Sequence, residues 1–173
     1  TFVMTQNSGL ADLSTRIRVD RYSFVRAVVE YSNGKSYMVS NYVKASGGCS
    51  APSLGDMDSI KARLGKMKMK FLKTGFEDIH KAQFIISHPN FSGLQFNQLT
   101  RTEIPAHFID KILISQNGEP IIEIQSDISI SEDPSVTFHY NNNGGDLEIL
   151  ATDTDGQIFE KNWPVNEVMT SRN

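Results

Sequence analysis

Val43-Lys44-Ala45-Ser46-Gly47-Gly48-Cys49-Ser50-Ala51-Pro52 divides this chain of 173 residues into two regions of alternating apolar and polar residues. Alternation with period 2 is the pattern of half-buried strands, so the division separates two β regions. The dividing stretch has no apolar periodicity of its own. It carries the protein's single cysteine, preceded by two glycines. Glycine reaches backbone angles closed to other residues and loses order easily. The residue pattern predicts Cys49 on a pliable, exposed segment, with Gly47, Gly48 and Ser50 giving it slack. The plainer reading is a buried cysteine acting as a small apolar side chain beside an ordinary turn.

Before the division, Leu13, Thr15, Ile17 and Val19 alternate with Ser14, Arg16 and Arg18, which puts the arginines outward. Phe24 to Tyr31 and Tyr37 to Val43 flank Ser32-Asn33-Gly34-Lys35. Asn-Gly accepts the positive φ of a type I′ turn, so this reads as a hairpin. With the ambiguous Phe2-Val3-Met4, the region offers about four strands. A free-standing immunoglobulin-like sandwich has roughly seven. The first domain is therefore expected to be incomplete, its remaining strands missing from the chain or supplied by another one.

After the division, residues 53–65 read as a short linker helix. Ser53 is the N-cap candidate with Asp56 three residues on, Leu54, Met57, Ile60 and Leu64 recur at helical spacing, and Gly65 stops it. Lys66 to Phe71, Lys81 to Ser87, Phe108 to Ser115, Pro120 to Gln125, Val136 to Tyr140, Leu147 to Ala151 and 157–163 then read as strands. Asn117-Gly118 and Asp153-Thr154-Asp155-Gly156 are turns between them. Residues 90–105 read as loop. Several short strands at regular intervals predict a second sandwich.

Net charge is -3, from 17 Lys and Arg against 20 Asp and Glu. No concentrated basic face marks a nucleic-acid binder. No apolar run approaches the ~20 residues needed to span a bilayer. One cysteine rules out an intrachain disulfide and leaves the compartment open. A start at Thr1 suits a processed or truncated product. The phosphate-loop and dinucleotide fingerprints are absent, and no nucleophile, base and orienting group are marked out as an enzyme's set. His80, His88, His107 and His139 fall at no metal-ligand spacing, so no metal is expected. Asp153 to Gly156 opens like a calcium loop but lacks the later glutamate, and reads as a turn.

Residues 11–49 resemble the carboxyl-terminal part of SoxY, the thiol-bearing half of the bacterial SoxYZ sulfur-oxidation carrier. The matching residues are Leu13 to Ile17, Val28-Val29 with Asn33-Gly34-Lys35, and Val43 to Cys49 ending in Gly-Gly-Cys. Residues 82–163 resemble SoxZ through Ile86-Ser87-His88-Pro89, Gly93, Ile104 to Ile109, Asn117-Gly118, Asp133-Pro134-Ser135 and Asp153 to Gly156. The whole resembles the fused SoxYZ-like carrier that accompanies quinoprotein dehydrogenases. In SoxY two more glycines and the chain end follow the Gly-Gly-Cys. Here Ser50-Ala51-Pro52 follow, so the segment is tethered at both ends.

The resemblance implies an all-β protein with two immunoglobulin-like β-sandwiches, the first incomplete. Residues 1–49 would form the SoxY-like part, 50–65 the linker with its helix, and 66–173 the SoxZ-like sandwich. It implies a periplasmic carrier rather than an enzyme, with no cofactor, holding a small sulfur compound such as a thiosulfate-type adduct on Cys49. His88 and His107 are candidate partner contacts beside a structural hydrogen-bonding role. The implied partners are sulfur-oxidising enzymes, a quinoprotein dehydrogenase, or both. Two readings compete with cargo carrying: an adaptor or assembly partner of such a dehydrogenase with an idle Cys49, and a dimer joined by strand completion or a Cys49 disulfide.

Overall fold

A computed structural model describes residues 1–51, 57–97 and 100–165. The chain order is β1 (Phe2–Met4), a 3-10 turn at Gln6–Ser8, β2 (Leu13–Thr15), β3 (Ser23–Glu30), β4 (Ser36–Val43), α1 (Met57–Arg63), β5 (Met67–Leu72), β6 (Ile79–Ile86), β7 (Phe96–Asn97), β8 (Thr102–Glu103), β9 (Ile109–Gln116), β10 (Glu119–Gln125), β11 (Ser135–Asn141), β12 (Asp146–Asp153) and β13 (Ile158–Pro164). The fold is all-β, as the alternation predicts, with one short helix.

Two antiparallel sheets carry the core. One has the order β1-β10-β9-β12-β13 and the other β2-β11-β6-β5. Alternation decides which side chains meet between them. On β6 it buries Ala82, Phe84 and Ile86, on β11 Val136, Phe138 and Tyr140, and on β12 Leu147, Ile149 and Ala151. These join Ile109, Ile112, Ile114, Ile122 and Ile124 in one cluster. Lys68 and Lys70 point outward from β5, as the pattern predicts. The turn at Asn117 and Gly118 has φ of 53° and 76°, the paired positive values that Asn-Gly accepts.

The amino-terminal residues do not stay apart from this sandwich. β1 pairs antiparallel with β10, Val3 opposite Glu123, and β2 with β11, Ser14 opposite Thr137. Four strands precede Cys49, but two of them extend the sheets of the other region. Only β3 and β4 stand separately, as a two-stranded hairpin. Opposed residues share a face, so Val25, Ala27, Val29, Tyr37, Val39 and Val43 lie together. That is the composition of a core face, yet Val39 is 71% exposed and Val29 and Tyr37 are also exposed, as are Val28 and Met38 on the opposite face. Half-burial is met only at one end, where Ile17 and Val19 form a cleft with Val25, Ala27, Val39 and Val43.

Three local expectations are corrected. Asn33 is not left-handed; only Gly34 is, at φ 81°, because Tyr31 and Lys35 bond to each other across a three-residue loop that needs one such residue. The alternation of Leu13 to Val19 breaks after β2. Ile17 makes a single bridge to Ile130 and is exposed, while Arg18 turns inward. The helix is seen over Met57–Arg63, with Ile60 buried. Gly65 follows at φ +72°, and Ser53, Leu54 and Asp56 lie outside the described residues. Arg63 fixes the helix to the sandwich through Asp133 and Glu132, at 2.5 and 2.7 Å.

Deleting core volume leaves a cavity, so Phe138→Ala is expected to lower unfolding stability by about 3–5 kcal/mol in urea melts. Met38→Ser on the open hairpin is expected to change it by less than about 0.5 kcal/mol.

Candidate functional site

The chain leaves β4 at Val43 and turns back on itself. Gly47 N–H donates to the Asp20 carbonyl at 2.8 Å and Gly48 N–H to the Val19 carbonyl at 3.1 Å. Gly48 lies flush on that backbone: a Cβ there would meet Val19 O at 2.7 Å and Val19 N at 2.9 Å. Ser50 Oγ donates to the Gly47 carbonyl at 3.3 Å, closing a turn around the cysteine. On the other side, Ser92 Oγ donates to the Cys49 carbonyl and Gln95 Nε2 to the Ala51 carbonyl at 2.8 Å. Gln95 Oε1 in turn accepts from Ser92 N–H at 3.2 Å. Ser92 and Gln95 are themselves buried.

The thiol is consequently covered. Cys49 is 4% exposed, against the expectation of a solvent-facing sulfur. The physical reason is the same glycine pair read as slack. Gly48, lacking a Cβ, lets the backbone press against Val19, and Gly47 takes the positive φ of 72° at the turn before it. Burial pushes the Cys49 thiol above its ordinary range, Asp20 pushes it further, and Arg18 opposes. At neutral pH the sulfur is a thiol, and the thiolate is the nucleophile.

Arg18 sits beside this segment. Its guanidinium donates to the carbonyls of Asn90, Ile130 at 3.1 Å and Pro89 at 3.3 Å. Burial works against its charge and lowers its pKa, with Glu132 and Cys49 acting the other way. Asn90 anchors the same loop at φ 45°. It donates through Nδ2 to Ser131 O at 2.7 Å and accepts from Ile109 N–H at 3.0 Å.

His88 and His107, far apart in sequence, come together over Asp153, their rings 4.6 Å apart. Among the described residues, these three offer ligand atoms within 4.8 Å of one another. The hydrogen bonds argue against a cation. His88 Nδ1 accepts from Asn90 N–H at 3.1 Å, so in the neutral ring the proton sits on Nε2, which faces Asp153 Oδ2 at 3.4 Å. That nitrogen has no lone pair for a metal. Asp153 Oδ2 also faces His107 Nε2 at 2.8 Å and accepts from Gln157 Nε2 at 3.1 Å, while Oδ1 accepts two backbone N–H groups. Asp153 thus closes the β12–β13 turn and ties the Pro89 loop to it.

Burial disfavours charge on Asp153, but the bonds from His107, Gln157 and His88 outweigh it and hold the carboxylate below its ordinary value. Burial, then the neighbouring His107, lowers His88. In the sequence this loop falls in residues 90–105, read only as loop, directly after the SoxZ-like motif Ile86 to Pro89. Periodicity gave no reason to single out Arg18, Ser92, Gln95 or Asp153.

Family comparisons match residues 69–164 to "Sulphur oxidation protein SoxZ" and residues 1–49 to "Sulfur oxidation protein SoxY". The chain belongs to the SoxYZ family. It is a fused SoxYZ-like protein, with both parts on one polypeptide and the SoxY match ending on Cys49. Comparison with curated proteins gives no match. Both spans exceed the resembling stretches, 11–49 and 82–163, and the added residues include β1 and most of β5. In the SoxYZ-like protein the Gly-Gly-Cys segment of the SoxY part is therefore held by a loop of the SoxZ part. Among the described residues no helix is long and apolar enough to cross a membrane.

The His88–Asp153 contact sets a pH dependence. The fold favours neutral His88, so its contribution is complete above the ordinary imidazole value of 6.5 and is lost as pH falls below it. Asp153 favours its ionised form, a contribution complete above 3.8 and lost only as pH falls through its lower folded value. The melting temperature is expected to drop between pH 7 and 5. In His88→Asn, where Oδ1 replaces the ring acceptor, the drop should be shallower.

Proposed function

We propose that this SoxYZ-like protein is a periplasmic carrier of sulfur species, held covalently on Cys49 and presented to partner oxidoreductases, and that it is not itself an enzyme. Membership of the sulfur-oxidation family supplies the role, and the coincidence of the SoxY match with its end at Gly47-Gly48-Cys49 carries the residue. Cys49 has no histidine or carboxylate hydrogen-bonded to it among the described residues, as a loading site acted on by other enzymes allows. Thiosulfate-type groups are the cargo of this reading. Partner contact falls on the apolar β3–β4 face, the surface richest in exposed side chains of core type.

Burial of the sulfur favours one other reading, in which the protein is an adaptor for a quinoprotein dehydrogenase and Cys49 carries nothing. Association with such a dehydrogenase that persists in Cys49→Ser would support it.

Tetrathionate tests the carrier chemistry without an added oxidant. The Cys49 thiolate attacks an inner sulfur, a new S–S bond forms, and thiosulfate leaves with the electron pair. Intact mass is expected to show one sulfur-group adduct on the wild type and none on Cys49→Ser. The same mass on Cys49→Ser, or a wild-type thiol that takes iodoacetamide but no sulfur group, overturns the reading.

A further inference from the structure

A carrier thiol has to be reached, and here it is covered. The cover is slight in kind. From Ser46 to Ala51 the segment belongs to no strand or helix, and its side chains are serine, glycine, alanine and the one cysteine. The segment's own side chains offer little apolar surface apart from Cys49 itself. What holds it is polar: the Gly47 and Gly48 bonds to Asp20 and Val19, and the bonds from Ser92 and Gln95 to the carbonyls of Cys49 and Ala51. Water replaces each of these when the segment lifts, so each adds only a modest net stabilisation. The sandwich core does not have to open with it, because none of its buried residues belongs to this segment.

We propose that Ser92 and Gln95 are positioning residues that seat the Gly-Gly-Cys segment closed, so that Cys49 reacts only from a locally opened state. Ser92 is doubly placed for this. Its Oγ donates to the Cys49 carbonyl and accepts from Leu94 N–H at 3.2 Å, while its own N–H is held by Gln95. The seat is built by the SoxZ part and the segment by the SoxY part, so the junction between the two controls access to the sulfur. Closed, it keeps the thiol protonated and shielded from stray oxidants. A partner that displaces Ser92 and Gln95 from the two carbonyls releases it. This functional meaning rests on the carrier reading; the seat itself does not.

Labelling by an aromatic disulfide reads the open state directly. The Cys49 thiolate attacks one reagent sulfur, a mixed disulfide forms, and the aromatic thiolate leaves. The full chain is expected to label far more slowly when native than when unfolded in urea. Ser92→Ala and Gln95→Ala should each label about 5-fold faster than the wild type, and the pair about 30-fold. Gly48→Ala should also label faster, because its methyl group collides with Val19 only when the segment is seated. Unchanged rates in all of these, at unchanged melting temperature, overturn the seat. So does a wild-type rate that climbs with urea as steeply as global unfolding, since the opening would then be unfolding itself. Fast labelling of the variants with no sulfur adduct from tetrathionate overturns the carrier reading and leaves the seat standing.

Discussion

The pairing of β1 with β10 and β2 with β11 is the constraint from which the arrangement of the site follows. Antiparallel ladders fix register, and register fixes where the chain emerges. With β2 locked against β11, residues 17–20 run past the Pro89 loop, and Val19 and Asp20 offer their carbonyls to Gly48 and Gly47. The hairpin β3–β4 then carries the chain away and returns it to that place. Cys49 is thus positioned by strands more than thirty residues before it in sequence, and by a loop more than forty residues after it.

The Pro89 loop is held by a dense set of bonds. Asn90 accepts a positive φ while its backbone N–H donates to His88 Nδ1 and its side-chain amide donates to the Ser131 carbonyl and accepts from Ile109 N–H. His88 spans the loop and the β12–β13 turn through Asp153, and its backbone N–H donates to Asp133 Oδ1 at 3.0 Å. Asp133 in turn pairs with Arg63. Buried polar groups are costly unless fully bonded, so a network this complete holds one geometry. Ser92 and Gln95 inherit that geometry, which is why they present their donors to a segment that has little internal structure of its own.

Much of the sandwich was legible in the sequence. Period-2 alternation in Lys66 to Phe71, Phe108 to Ser115 and Leu147 to Ala151 located strands, and Asn117-Gly118 located a turn, because both signals are local. The SoxY and SoxZ motifs located the cysteine and the two histidines. What escaped was non-local. Nothing in Phe2-Val3-Met4 says that its ladder partner is 120 residues away. Nothing in Arg18 says that it leaves the outward face to reach three carbonyls. The glycines before Cys49 were ambiguous by nature, since absence of a side chain permits both slack and close approach. Which one occurs depends on whether another backbone is waiting, and here Val19 is.

The open hairpin has a consequence of its own. Strands of eight residues extend about 27 Å, and both outer edges of β3 and β4 present unpaired backbone donors and acceptors among the described residues. Edge strands are usually guarded by lysine, proline or a bulge. Within β3 and β4 the only charges are Arg26 and Glu30, and the register between the two strands is unbroken. Such a ribbon is a template for pairing with like ribbons, which makes it the part of the described fold with the greatest hazard of cross-β association in concentrated solution.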